Sequence, residues 1–223
     1  MNIIFNERGF TLAELMIASL VTMAILGGAV ALTSQVQTGY TRQIEAAAAE
    51  QEGRYALDWI SRMIRAAGNN PYSQATSDCP SVGTEFVGLV WDPNLDTVSD
   101  DIRVQTDSNP PDRFLGGLAG ACNQANEDVT ISFDADTNSI TFLDNNLGGG
   151  ATIRTDAVID NLRFVYRNSS HTEITDLSDP DDAANVIYVE TQITVRGRTI
   201  DVATGAPITR TMTQEVRIRG RNY

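Results

Sequence analysis

Gly9-Phe10-Thr11-Leu12-Ala13-Glu14 opens the stretch that decides the fold, and it runs directly into Leu15-Met16-Ile17-Ala18-Ser19-Leu20-Val21-Thr22-Met23-Ala24-Ile25-Leu26. Apolar character continues to residue 32. At a rise of about 1.5 Å per residue, a helix over residues 10–32 is long enough to cross the hydrocarbon core of a bilayer. One carboxylate, Glu14, sits at the edge of that run. An ionised acid inside a membrane costs roughly 2.5–3.5 kcal/mol, so Glu14 is expected to have a partner or a task. An ordinary secretory signal offers a rival explanation, with Ala29-Val30-Ala31 as its small-residue cut. It fits poorly, because Glu7 and Arg8 cancel where a positive start is needed and the acid lies inside the apolar run.

Helical character extends well past the apolar run. Gln43-Ile44-Glu45-Ala46-Ala47-Ala48-Ala49-Glu50 is strongly helix-forming. Farther on, Leu57, Ile60, Ile64 and Ala67 fall on one stripe, with Asp58, Arg62 and Arg65 on the opposite side. That half is expected to lie against a sheet. Gly68-Asn69-Asn70-Pro71 ends the helix, glycine suiting the left-handed cap and proline being unable to continue it. A helix over residues 10–67 would be about 87 Å long. Gly27-Gly28, Gly39 and Gly53 are the places where it is expected to bend or loosen.

After Pro71 the pattern changes to turns and short strands. Candidate strands are residues 85–91 and 102–104, and then residues 129–133 and 139–143, which alternate across Asp134-Ala135-Asp136-Thr137-Asn138 as a hairpin. Gly148-Gly149-Gly150 marks a flexible connection. Residues 158–166 form another strand candidate. In the last pair, Ile187, Val189, Thr191, Ile193 and Val195 alternate with polar neighbours, as do Met212, Val216 and Ile218, and Thr204-Gly205-Ala206-Pro207 can turn between them. The fold class expected is α+β: a long N-terminal helix, membrane-spanning in its first half, packed on an antiparallel β-rich head.

With Gly9 before Phe10-Thr11-Leu12-Ala13-Glu14 and a long apolar helix after it, the chain resembles the type IV pilin superfamily, with no departure at any position of that N-terminal signature. The resemblance implies that a prepilin peptidase cuts after Gly9 on the cytoplasmic side and that the new terminus at Phe10 is N-methylated. It also implies that Glu14 pairs with the terminal amine of a neighbouring subunit during assembly, where a nearby cation would offset its desolvation. Residues 62–71, Ile159-Asp160-Asn161-Leu162-Arg163-Phe164-Val165-Tyr166 and Glu215-Val216-Arg217-Ile218-Arg219 look like PilW-type minor pilins, and more loosely like the J-type pseudopilin of type II secretion. The K-type tip pseudopilin lacks the glutamate, so this chain does not resemble it. Residues 73–128 carry little resemblance to either.

The chain of 223 residues suits one membrane-anchored domain of ordinary size or two small ones, and its hydrophobic fraction of 42% is enough for a real core. A net charge of −13 argues against a nucleic-acid-binding surface. All 16 cationic side chains are arginine. Residues 92–136 are acidic and the C-terminal end is arginine-rich, and these could meet within a subunit or between neighbours, although a solvated surface is the simpler reading for most of these charges. If the head is exported, an oxidising compartment makes a Cys79–Cys122 disulfide the default.

No catalytic constellation stands out. His171 is the only histidine and has no nucleophile motif beside it, which favours an exposed loop residue. Asp134-Ala135-Asp136-Thr137-Asn138 begins like an EF-hand loop, but Ser139 replaces the glycine and Asn145 the terminal glutamate, which favours a hairpin turn. Asp176, Asp179, Asp181 and Asp182 can hold calcium or form a solvated acidic loop. No other cofactor is expected.

The expected organisation is a leader at residues 1–9, a membrane or filament-core helix at 10–32, its amphipathic continuation at 33–70 and a head at 71–223. The expected function is that of a minor pilin that helps prime or cap a type IV pilus. Its expected partners are other major and minor pilins, prepilin peptidase and the inner-membrane assembly platform. Before assembly it would be a single-pass inner-membrane protein with a periplasmic head; afterwards it would lie in an extracellular pilus or a pseudopilus. A J-type pseudopilin, a head that works as an adhesin or binds a ligand, and a secreted hydrolase centred on His171 are the alternatives.

Overall fold

A computed structural model describes residues 9–72, 86–108, 111–117, 121–177, 184–200 and 204–219. The described residues include the helix α1 (Leu12–Ala66) and the strands β1 (Leu89–Trp91), β2 (Asp101–Gln105), β3 (Asp128–Asp134), β4 (Ser139–Asp144), β5 (Thr152–Ile153), β6 (Ile159–Arg167), β7 (Tyr188–Ile200) and β8 (Pro207–Arg217). The chain divides into two compact units, Met1–Ile44 and Glu45–Tyr223.

The first unit contains the N-terminal part of α1. Its side chains from Phe10 to Val36 are exposed, and its most apolar window, of mean hydropathy 2.3, has no buried residue. So large an apolar surface is the mark of a lipid or protein contact.

In the second unit, α1 turns Ala49, Gly53, Ala56, Leu57, Ile60, Ser61 and Ile64 inward, the stripe expected from the spacing of its apolar residues. Ile60, Ile64 and Ala67 have no exposed surface, whereas Asp58 and Arg62 face solvent and pair with each other at 2.9 Å. Each fully buried isoleucine contributes about 1.5–3 kcal/mol of transfer free energy. Gly68 closes the helix with φ 73°, and its N–H donates to the Gln105 carbonyl of β2 at 2.9 Å, tying the helix end to the sheet.

Two antiparallel sheets complete this unit. The first is a meander in the order β1-β2-β3-β4-β5, and the second has the order β6-β7-β8. The expected hairpin is β3 and β4, paired in the register Ile131↔Phe142 and Phe133↔Ile140. The C-terminal pair is β7 and β8, with Val189↔Val216 and Ile193↔Met212. Strict alternation from Ile187 into β7 buries Ile187, Val189, Thr191, Ile193 and Val195 and leaves the residues between them half-buried. Backbone bonds from Phe164 to the Ser99 carbonyl at 2.7 Å and from Ile159 to the Asn138 carbonyl at 3.0 Å join the two sheets. β5 is too short for its period to be read in the sequence, and it follows the glycine run expected to be a connection.

Gly53 differs from the expectation. It does not loosen α1; it lets the helix approach the second sheet. A Cβ at Gly53 would collide with Met212 Cε and would lie 2.8 Å from Val195 Cγ1. A Gly53→Leu substitution is therefore expected to lower stability by about 1–3 kcal/mol despite leucine's better helix propensity. Thermal unfolding of the full chain in detergent measures this, with Gly39→Leu as a comparison, since a Cβ at Gly39 meets nothing within 4 Å.

Candidate processing and assembly site

Thr11 is the residue before the first helical position. Its Oγ1 accepts from the Glu14 N–H at 3.3 Å, and Glu14 Oε2 accepts from both the Thr11 N–H and the Thr11 hydroxyl at 2.9 Å. The Thr11 carbonyl receives the first helical bond, from Leu15 N–H at 3.2 Å. This reciprocal arrangement is a capping box, in which a threonine and a glutamate three residues later satisfy each other's free N–H groups. Its Thr-x-x-Glu signal is present in the sequence, although the resemblance implies for Glu14 only the pairing with a neighbouring subunit. Within one chain the acid already has a task. It is fixed at the positive end of the helix dipole, with its side chain exposed.

Gly9 and Phe10 precede this cap and are exposed, and a Cβ at Gly9 would meet nothing within 4 Å. Beyond the cap, the polar side chains of the apolar segment turn back on their own helix. Ser19 donates to the Met16 carbonyl at 2.9 Å, Thr22 to Ala18 at 2.7 Å and Thr33 to Ala29 at 2.8 Å. Hydroxyls bonded in this way leave the helix surface effectively apolar, as a hydrocarbon environment requires.

The family described as the prokaryotic N-terminal methylation motif matches residues 4–30. This match supports a prepilin-type, type IV pilin-like or pseudopilin precursor. The motif marks structural subunits rather than enzymes, and it implies processing by prepilin peptidase and assembly with other pilins. The apolar helix that overlaps it is consistent with inner-membrane anchoring. No curated protein and no solved structure matches the chain.

The other sites anticipated in the head have structural surroundings. His171 Nδ1 lies 2.9 Å from Glu215 Oε1, and its ring stacks on Tyr188 with centroids 4.2 Å apart. Asp134 accepts from the Asp136 N–H at 2.9 Å and from the Thr137 hydroxyl at 2.8 Å, and Asn138 has φ 52°, the geometry of a tight turn between β3 and β4. Asp176 is described, whereas Asp179, Asp181 and Asp182 lie outside the described residues. Cys122 is half-buried against Leu115, and Cys79 lies outside the described residues. Among the described residues no three carboxylate, histidine or cysteine side chains form a ready-made metal centre.

Two features of the head were not singled out in the sequence. The first is Asp128, which is fully buried. It receives Arg103 Nε at 2.7 Å, Arg103 Nη2 at 2.6 Å, Gln105 Nε2 at 3.0 Å and Asn145 Nδ2 at 2.7 Å. The second is the segment between β1 and β2. Burial, reinforced by the charges of Asp100, Asp92 and Asp96, pushes the Asp101 carboxyl up to about 7, and Asp100 is raised by burial and by Asp96. Asp-x-Asn-x-Asp spacing was the available signal.

Proposed function

We propose that this chain is a PilW-like minor pilin of a type IV pilus, a structural subunit that helps prime or cap filament assembly after its leader is removed. One observation supports its pilin-type part: the segment matching the methylation motif starts an exposed apolar helix whose first turn is held by Thr11 and Glu14, while the PilW-like part rests on the resemblance of residues 62–71, 159–166 and 215–219. In this proposal prepilin peptidase cuts after Gly9 and Phe10 becomes the methylated N terminus. The helix holds the chain in the inner membrane with the head in the periplasm, and later packs among other major and minor pilins with the help of the assembly platform. In this proposal the head, residues 71–223, is structural and has no catalytic role.

Glu14 then has two successive partners. In the single chain its carboxylate accepts from Thr11. In a filament the amine of a neighbour's Phe10 would add a charge-assisted bond in a dry environment, where such pairs are strongest. We also propose that Cys79 and Cys122 are joined, a reading supported by the absence of free cysteine among the described residues. A J-type pseudopilin shares this N-terminal chemistry, and pilus counts in a deletion strain separate the two. Binding of the full chain to cells or surfaces tests the adhesin alternative.

The direct test is mass spectrometry of the N terminus from native membranes. The expected peptide begins at an N-methylated Phe10. A chain still beginning at Met1, or one cut beside Ala31, overturns the proposal.

A further inference from the structure

We propose that the β1–β2 loop, residues 92–100, with Asp101 at the start of β2, is a calcium site whose carboxylates the cation itself gathers, since they do not form a ready-made centre without it. Asp92, Asn94, Asp96, the Val98 carbonyl and Asp100 occupy the first, third, fifth, seventh and ninth positions of an EF-hand-type ligand loop. The backbone has the matching turn. Thr97, at the sixth position where such loops use glycine, has φ 69°, a left-handed conformation costly for a β-branched residue. Asp92 accepts from the Asp96 N–H at 3.0 Å and the Thr97 N–H at 2.9 Å, and Asp96 from the Val98 N–H at 2.8 Å. The twelfth position departs from the pattern, since Arg103 stands where a bidentate glutamate would close the loop.

The independent observation is Asp101. It is 1% exposed, and its Oδ2 accepts from the Asn94 N–H at 3.3 Å, so the carboxylate points into the loop. Its Oδ1 is buried and has no hydrogen-bond partner. Across on β6, the buried Tyr166 hydroxyl also lacks a partner, and Asp101 and Asp92 are close enough for their charges to act on it. Orphaned buried polar atoms are costly, and a buried carboxylate more so. A divalent cation beside Asp101 supplies the missing positive charge and replaces the absent twelfth ligand with a carboxylate from β2. Every available donor is oxygen, the chemistry of a hard cation, and a loop that must draw its carboxylates together suits calcium's flexible coordination better than magnesium's rigid octahedron. The site does not depend on the filament reading.

The test uses the full chain in detergent, stripped with chelator and titrated with calcium. At about a hundredfold excess over the dissociation constant the midpoint of thermal unfolding is expected to rise by roughly 5–10 °C. Terbium should bind in calcium's place and emit on excitation of Trp91, the residue immediately before the loop, and calcium should compete that emission away. The double variant Asp96→Asn, Asp100→Asn is expected to lose most of the shift, while Asp136→Asn, in the β3–β4 turn, keeps it. No calcium shift in the wild type, no sensitised terbium emission, an equal rise with magnesium, or a full shift in the double variant each overturns the site.

Discussion

A Glu14→Ala chain is expected to be cut after Gly9 at the wild-type level and to enter filaments at a small fraction of the wild-type amount. Immunoblots of membranes and of sheared filaments measure the two quantities. The capping box makes alanine an incomplete test, because it also frees the Thr11 N–H and hydroxyl at the helix start. Loss of such a cap costs about 0.5–2 kcal/mol, which frays the first turn of a 55-residue helix without unfolding it. Glu14→Gln separates the two roles. Glutamine can serve the box as glutamate does, yet carries no charge for an incoming amine. If capping alone matters, the glutamine variant assembles normally; if pairing with the neighbour's amine matters, it fails like alanine. Normal incorporation of the glutamine variant would falsify the pairing role.

Arg103→Met is expected to be the most damaging single change in the head, at about 3–5 kcal/mol. Asp128 is fully buried on β3, and Arg103 on β2 meets it with two nitrogens at 2.7 and 2.6 Å. Gln105 and Asn145 complete its shell but bring no positive charge. Methionine would fill much of the space of the arginine stem while leaving the carboxylate uncompensated. Thermal unfolding at neutral pH should show the loss. The double variant Arg103→Met, Asp128→Asn should recover part of it, because the buried charge is then gone too. A single variant as stable as the wild type refutes the argument.

Phe10, Leu12 and Leu15 onward could be read from the sequence because a run of apolar side chains needs no long-range partner to declare itself. The stripe of Leu57, Ile60, Ile64 and Ala67 was equally plain, since helical spacing alone puts these residues on one face. Alternation did the same for β7, where Val189, Ile193 and Val195 are buried, and for the β3–β4 hairpin across its Asp134 turn. Three features were not legible. Gly53 looked like a weak point of the helix, because nothing local reveals Met212 and Val195 opposite it. Asp128 looked like one more solvated acid, because the four bonds its carboxylate accepts come from three residues as many as 25 positions away. The Asp92 loop and the Asp134 turn share an acidic spacing, and only the fold puts a buried, unsatisfied carboxylate, Asp101, beside the first.

The start of the long helix is legible in the sequence alone. Residues 9–14, the apolar run after them and the Thr11-x-x-Glu14 cap are all local, since a helix and its first turn satisfy their backbone within a few residues. The tertiary structure alone decided which head acids are paired, which are strained and which face water. The order of five strands in one sheet and three in the other sets those neighbours. A charge's surroundings come from strands distant in the chain, and no local pattern encodes them.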